Sequence, residues 1–474
     1  MKPKLFKPSN KKLGFYMVLI LAALALAAAL GSPSIGLLSS KPPTSGSSSN
    51  FTFRATGFFH TAFDGKRWWI VTPDGHPFYI SSVDHVDPAP DVDRVTNLCP
   101  YCIAIASQYP NDQAWALDTV SRLRKWGFNS LGAWSNTSLL GSMMPYTELL
   151  GMASGNDWFA PSFVSNAFQV ANTAVAPLKN DPNLIGYFTD SELRWGPDWT
   201  DQHTLLDSYL QLPVGSPGRQ VAEKYIHDPN GFLSALATRY FSVTTAAIKS
   251  VDPNHMILGV KMLAQLTSPA VLEAAAPYVD VFSIDDYALI GGLSNYIKSS
   301  WSPYLNVDGN LSLFYKYLHK PVMVAEYSFR GAGGLAPNTW PPIYPTYPNQ
   351  QARAQAYESY IKGIYASPWV VGDQWFEYVD EPVNGRFDGE NSNFGLVSTS
   401  NVPWSDLVNA MTVMHSQAPN VLAGNPSPCW SYQQTGTGSQ VKCLLYANSC
   451  PANVSSPSSL WPYCTNSTTK STIG

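Results

Sequence analysis

Residues 183–196, NLIGYFTDSELRWG, pass from an apolar run at 184–188 almost directly into Asp190, Ser191 and Glu192. A short apolar run with acids at its end is what a strand covered on both faces looks like where it opens into a loop. Residues 320–331, KPVMVAEYSFRG, repeat the pattern and finish their apolar run on Glu326. Working outward, strands are expected at 78–83, 129–133, 147–150, 184–188, 256–261, 281–284, 322–325 and 374–378. The clearest helices are expected at 113–126, 231–250, 350–367 and 404–416. This alternation predicts an α/β chain folded as a (β/α)8 TIM barrel. A doubly wound open sheet is the competitor, but no glycine-rich phosphate loop follows the first strand. In a barrel the working residues gather at the C-terminal strand ends, so each strand end is a place to look for chemistry.

The chain has 474 residues, of which 45% are hydrophobic and only 13% charged. That is enough apolar material for one large core. A formal charge of −4 without basic clusters makes it a poor partner for nucleic acid. Five lysines among the first twelve residues precede an unbroken apolar run at 13–30. Such a segment is an export signal, or a signal anchor that holds the chain to the outer face of the membrane. Residues 1–31 are read as that segment, with cleavage and retention both open, and residues 32–50 as a flexible tether rich in Ser, Pro and Gly. An exported, extracellular chain suits the six cysteines. Cys99 and Cys102 form a CPYC loop, while Cys429, Cys443, Cys450 and Cys464 crowd into a Ser/Thr-rich tail at 423–474, leaving 51–422 for the barrel. All six are candidates for structural disulfides, with the pairing undetermined. Sequons beginning at Asn50, Asn136, Asn310, Asn453 and Asn466 are compatible with glycosylation. Neither a metal nor a cofactor is expected, since no His/Cys/Asp cluster has ligand spacing and no Walker loop occurs.

Among the strand ends, Glu192 and Glu326 are separated by three further strand–helix units. Cleaving a glycosidic bond takes one protonated and one ionised carboxyl group flanking it. Other strand ends offer groups that suit sugar hydroxyls: Asp84 and His85, Trp134, Lys261, and Tyr287 at the end of SIDDY (283–287). The Tyr287 hydroxyl would donate to Glu326 and favour its ionised form. Trp375 is placed as the aromatic floor of a subsite beside Glu377, and Glu390 in GRFDGEN (385–391) either lines the cleft or caps a turn. Asp190 precedes Glu192 by one strand period, which puts it on the same side and one layer deeper. The expected partner is a β-linked polysaccharide or oligosaccharide.

A glutamate at the mouth of the fourth strand and another at the mouth of the seventh resembles the arrangement of clan A glycoside hydrolases. Four segments together look like the agarase family, family 50 of the glycoside hydrolases: WWIVTPDGHPFYISSVD (68–84), WGFNSLGAWSN (126–136), GYFTDSELRWG (186–196) and VGDQWFEYVDEPVNGRFDGENSNFGLV (371–397). The likeness covers roughly residues 68–411. It implies Glu192 as general acid/base, Glu326 as nucleophile and net retention at the anomeric carbon. Another β-glycanase of the same clan (glucanase, mannanase or β-galactosidase) and a non-catalytic glycan-binding barrel at the cell surface are the alternatives. Members of the family commonly carry asparagine where this chain has Ser191. A sugar or linkage other than the family's usual galactan is therefore expected at that subsite.

Overall fold

The apolar runs become strands because cover is available on both of their faces. A computed structural model describes residues 52–198, 201, 203–289 and 311–423. An antiparallel meander comes first: β1 (His60–Phe63), β2 (Trp68–Val71) and β3 (Pro77–Phe78). The chain then lays down β4 (Ile80–Val83), β5 (Ser130–Leu131), β6 (Tyr146–Leu149), β7 (Leu184–Phe188), β8 (Met256–Gly259), β9 (Met262–Leu263), β10 (Phe282–Asp285) and β11 (Val322–Tyr327). A short pair, β12 (Arg330–Gly331) with β13 (Thr346–Tyr347), stands apart, and β14 (Val370–Trp375) returns to the main sheet. That sheet holds nine parallel strands in the order β8-β7-β6-β5-β4-β14-β11-β10-β9.

The fold is thus mixed α/β around a curled parallel sheet, with nine strands where eight were expected. The extra strand comes from a break: Val260 and Lys261 part β8 from β9, and Lys261 takes a left-handed backbone (φ 45°). β8 pairs with β7, and β9 with β10. Asp280 and Val281 also donate to the Ile257 carbonyl at 2.9 and 3.2 Å, so the curl brings both ends of the sheet to residues 256–263.

Strand residues sort into two cores. Ile80, Ile185, Phe188, Leu258, Met323 and Val371 pack inside the curl. Val83, Leu131, Leu184, Ile257, Val322 and Val370 face outward. There they meet Trp115 of helix Asp112–Lys125, Tyr240 of Pro229–Val251, Tyr357 of Gln350–Ala366 and Met411 of Ser405–Leu422. Phe59 and Ile70 of the meander join the inner core, and Trp68 donates to the Pro368 carbonyl at 2.8 Å just before β14. The meander therefore stoppers the N-terminal end of the curl and leaves the opposite end free for a site.

β14 starts four residues before the expected strand at 374–378. Gly372 and Asp373 argued against a strand on propensity, but tertiary contact overrides it. A Cβ on Gly372 would lie 2.4 Å from Ile80 Cβ, so the close approach of β14 to β4 requires glycine. Beyond β14, residues 380–397 carry little regular structure yet are largely buried. Buried Arg353 holds them, donating to Asn393 Oδ1 (3.1 Å) and the Gly395 carbonyl (3.0 Å). Asp380 accepts from Asn393 (2.8 Å), Gly395 N (2.9 Å) and Trp404 Nε1 (3.0 Å).

Cys99 and Cys102 are joined in a disulfide, and the Cys99 sulfur also accepts from Cys102 N at the start of helix Pro100–Ala106. The expected signal or anchor, the tether, and the tail with Cys429, Cys443, Cys450 and Cys464 lie outside the described residues. Among the described residues no helix is long and apolar enough to cross a membrane.

Candidate active site

Four strands end on a residue whose backbone turns left-handed: His85 after β4 (φ 55°), Trp134 after β5 (57°), Glu192 after β7 (48°) and Lys261 after β8 (45°). Each such turn costs a non-glycine residue about 1–2 kcal/mol, and turns of this kind concentrate at functional sites. Cross-links between neighbouring strand ends hold them. His85 N donates to the Ala133 carbonyl (2.8 Å), and Glu192 N donates to the Lys261 carbonyl (3.0 Å).

Lys261 is the hub. Its buried ammonium lies 3.1 Å from Asp84 Oδ2, 3.1 Å from Glu326 Oε1 and 3.0 Å from the Ala325 carbonyl. The same nitrogen sits 4.1 Å from the centre of the Trp134 ring, a cation–π distance. Burial works against the ammonium, but Asp84, Glu326 and Asp285 outweigh it and its pKa is raised. Burial pushes Asp84 up to about 7, even with Lys261 pulling it down. Asp84 also lies against Gly132, where a Cβ would come within 1.8 Å of Asp84 Oδ1.

Around the hub stand the two expected glutamates. Glu326 is buried at the end of β11; its Oε2 accepts from the Tyr287 hydroxyl at 2.8 Å, while Oε1 faces Lys261. Glu192 is exposed at its surface but hemmed in by the cleft. Loss of hydration there, followed by the charges of Glu326 and Glu390, pushes its carboxyl up to about 8. One carboxyl oxygen each from Glu192, Glu326 and Asp285 lie within 4.8 Å of one another. Asp285 escaped the sequence reading, which took only the tyrosine from SIDDY.

A second ring of charge lies beside the first. His85 Nδ1 is 2.7 Å from Glu377 Oε2 and 3.8 Å from Asp91 Oδ2. Burial opposes protonation of His85, yet the Glu377 bond and charge raise its pKa. Arg386 pairs with Glu390 (2.6 Å) and approaches Glu381 (3.6 Å), and its guanidinium lies over Phe376. Phe376 in turn meets the half-open Trp134 edge-on. His85, Asp91 and Glu377 offer three ligand-capable atoms within 4.8 Å, as do the three acids around Lys261. In the first group the His85–Glu377 contact uses the atoms a metal would take; in the second an ammonium already supplies the positive charge.

The structure brings Asp84, Lys261, Tyr287 and Glu390 to the glutamate pair, with Trp134 at the rim. It turns two expected residues elsewhere. Trp375 is fully buried, donates Nε1 to the Phe394 carbonyl at 2.9 Å and packs on Tyr327, Phe329 and Tyr357. With no open face it is core, which corrects its placement as a subsite floor; Trp134, 40% exposed, supplies the open ring. Asp190 accepts from Ala153 N and from the Tyr240 hydroxyl, anchoring the loop after β6 to helix Pro229–Val251. Burial pushes Asp190 up to about 6. Ser191 is half-buried between Asp190 and Glu192.

No family model matches the chain. Two curated proteins of Vibrio sp. (strain JT0107) are similar to it. Beta-agarase B is 28% identical over 364 residues, 63% of this chain, and beta-agarase A is 26% identical over 379 residues, 65% of this chain. The match spans only 36% of the length of each of these relatives. Among solved structures, an agarase superimposes with a TM-score of 0.65 at 23% identity, covering 78% of this chain and 65% of that one. An exo-beta-agarase does so with a TM-score of 0.65 at 20% identity, covering 79% and 67%. These superpositions establish a shared fold.

Proposed function

We propose that the chain is a retaining β-glycoside hydrolase, agarase-like, that works outside the cell on β-linked polysaccharide with Glu192 as acid/base and Glu326 as nucleophile. Spacing carries the assignment. Retaining pairs stand about 5–5.5 Å apart and inverting pairs about 6.5–9.5 Å apart. Carboxyl oxygens of Glu192 and Glu326 within 4.8 Å of each other favour the first geometry. Their surroundings differ in the sense the roles require. A carboxyl pushed up to about 8 holds its proton at neutral pH and can give it away. Glu326 instead has a donor on each oxygen, Tyr287 and Lys261.

In the first step Glu326 attacks the anomeric carbon while the Glu192 proton passes to the departing glycosidic oxygen. The carbon–oxygen bond breaks and a glycosyl ester on Glu326 forms. In the second step Glu192, now a carboxylate, takes a proton from water, whose oxygen displaces Glu326 at the same carbon. Inverting twice retains the β configuration.

Agarose heads the substrate panel because both curated relatives are beta-agarases. Purified protein is incubated with agarose and other β-glycans, and the anomer first released is followed by proton NMR. Glu192→Gln should lower kcat by roughly 10²–10⁴-fold, and Glu326→Gln should abolish turnover with the fold intact. Release of the α-anomer, or full activity in Glu326→Gln, refutes the mechanism.

A further inference from the structure

Phe387, at the tip of GRFDGEN (385–391), is 85% exposed. A lone apolar residue at a surface needs no explanation, but this ring is held in place. Gly385 and Gly389 take left-handed backbones (φ 89° and 99°) and bracket a tight turn. Arg386 N donates to the Glu390 carbonyl (2.8 Å) and Gly389 N to the Arg386 carbonyl (2.9 Å), closing it. The Arg386 guanidinium lies against two rings, 5.5 Å from the centre of Phe376 and 5.7 Å from that of Phe387. The turn thus carries Glu390 to the glutamate pair while its tip presents a fixed ring to solvent.

A second open ring reaches the same turn. Trp340 is 51% exposed, and its backbone is tied to the far end of GRFDGEN. Asn391 Oδ1 accepts from Trp340 N at 2.9 Å, while Asn391 N and Ser392 Oγ donate to the Trp340 carbonyl at 3.3 and 3.2 Å. A Cβ on Gly389 would stand 3.4 Å from Trp340 Cδ1 and 2.6 Å from an Arg94 guanidinium nitrogen, so glycine lets both side chains close on the turn. From here a row of contacts leads back to the glutamates. Arg386 lies over Phe376, Phe376 meets Trp134 at 6.0 Å, and Trp134 lies 4.1 Å from the Lys261 ammonium beside Glu326. Trp134, Phe387 and Trp340 are all open to solvent along this path. Folding alone gives no reason to keep three large aromatic faces wet in one place. A pyranose ring has an apolar face made of its C–H groups, and an aromatic ring whose position is already fixed can cover that face at little further ordering cost.

We propose that Phe387 and Trp340 form a remote subsite, stacking on sugar rings of the polysaccharide that lie beyond the two units joined by the cleaved bond. The glycan runs from the glutamate pair past Trp134 to the GRFDGEN turn. This rests on the glycosidase reading above and extends it from the bond that is cut to the length of glycan that is held.

Binding is measured without turnover, by calorimetry on the Glu326→Gln protein. The ligands are a disaccharide and an octasaccharide of the glycan cleaved best in the panel, or of agarose should none be cleaved. The octasaccharide should bind more tightly. Covering one face of a ring is about half its burial, so Phe387→Ala or Trp340→Ala should each weaken octasaccharide binding by about 3- to 10-fold, and both together by about 10- to 100-fold. The disaccharide should bind the double variant as it binds the parent. Phe387→Leu should lose as much as Phe387→Ala, and Phe387→Tyr should recover, because the flat face is what the sugar meets. An octasaccharide that binds no better than the disaccharide, equal loss for both ligands, or a leucine as good as tyrosine overturns the proposal. So does a parent protein that self-associates in sedimentation and comes apart on Phe387→Ala, since the rings would then cover one another. Cleavage of a glycan with no gain from its length would remove the remote subsite and leave the glutamates in their roles. Length-dependent binding that is lost with the rings, in a wild-type protein that cleaves nothing, would keep the subsite and remove the mechanism.

Discussion

Replacing Lys261 by methionine keeps the length of the side chain and removes its charge. The losses are visible in the site: ion pairs at 3.1 Å to Asp84 and Glu326, a hydrogen bond at 3.0 Å to Ala325, and the cation over Trp134. Removing one partner of a buried pair costs about 3–5 kcal/mol when the other charge stays behind. Asp84 has an escape, because its carboxyl is already pushed up to about 7 and accepts a proton at neutral pH for little free energy. Glu326 loses the cation beside its Oε1 and keeps only the Tyr287 hydroxyl on Oε2. Because part of the cost of the broken pair falls on the attacking carboxylate, kcat/KM should drop by about 10- to 1000-fold. The folded pKa of Lys261 is raised above 10.5, so its contribution to stability is intact throughout the neutral range and lost only at strongly alkaline pH. Thermal unfolding should therefore show the variant less stable at both mildly acid and neutral pH, with the smaller gap in acid, where Asp84 protonates. A variant with wild-type kcat/KM would show that Lys261 does not act through Glu326.

Three further outcomes are expected. Gly132→Ala puts a Cβ where Asp84 Oδ1 now sits, at 1.8 Å, so overpacking should cost about 1–3 kcal/mol; an alanine variant with unchanged activity and melting temperature would show that Asp84 moves freely. Asp373 is fully buried and pushed up to about 7 by that burial, with Tyr327 donating to it at 2.8 Å. Its folded pKa exceeds 3.8, so its contribution is full below that value and is lost as pH rises through about 7, roughly 3 kcal/mol between pH 5 and 8; Asp373→Asn should flatten that decline in calorimetry, and an unchanged slope would exclude Asp373 as its source. Ser191→Asn should raise kcat/KM on agarose relative to the best alternative β-glycan, and agarose winning by a wide margin in wild type would refute the specificity argument built on the serine.

The strand-end acids were legible because two signals coincide there, an apolar run and a charged residue that core packing does not want. Glu192 and Glu326 follow runs buried on every residue, β7 and β11. Where a strand carries small or polar residues inside the curl, the coincidence fails. Gly372 and Asp373 shifted β14 by four residues and sent Trp375 to the cleft, although its ring is core. Asp285 was hidden for the opposite reason: an acid inside an apolar run reads as the strand's end, and only the packing of β10 against β11 shows that it faces the pair. The break at Lys261 has no sequence signature, since lysine is an ordinary residue at an ordinary strand end. The charge that surrounds it, supplied by Asp84 and Glu326 from distant parts of the chain, is what makes the turn worth keeping.

The left-handed turns at His85, Trp134, Glu192 and Lys261 set the direction in which this protein can be improved. Glycine at any of them would relieve backbone strain, and selection for heat resistance alone would favour it. Every such gain removes a side chain from the mouth. A library sorted on melting temperature should drift toward a sturdier and emptier mouth of the curled sheet, whereas one sorted on turnover should leave these four positions alone and collect its stabilising changes around the meander at the opposite end.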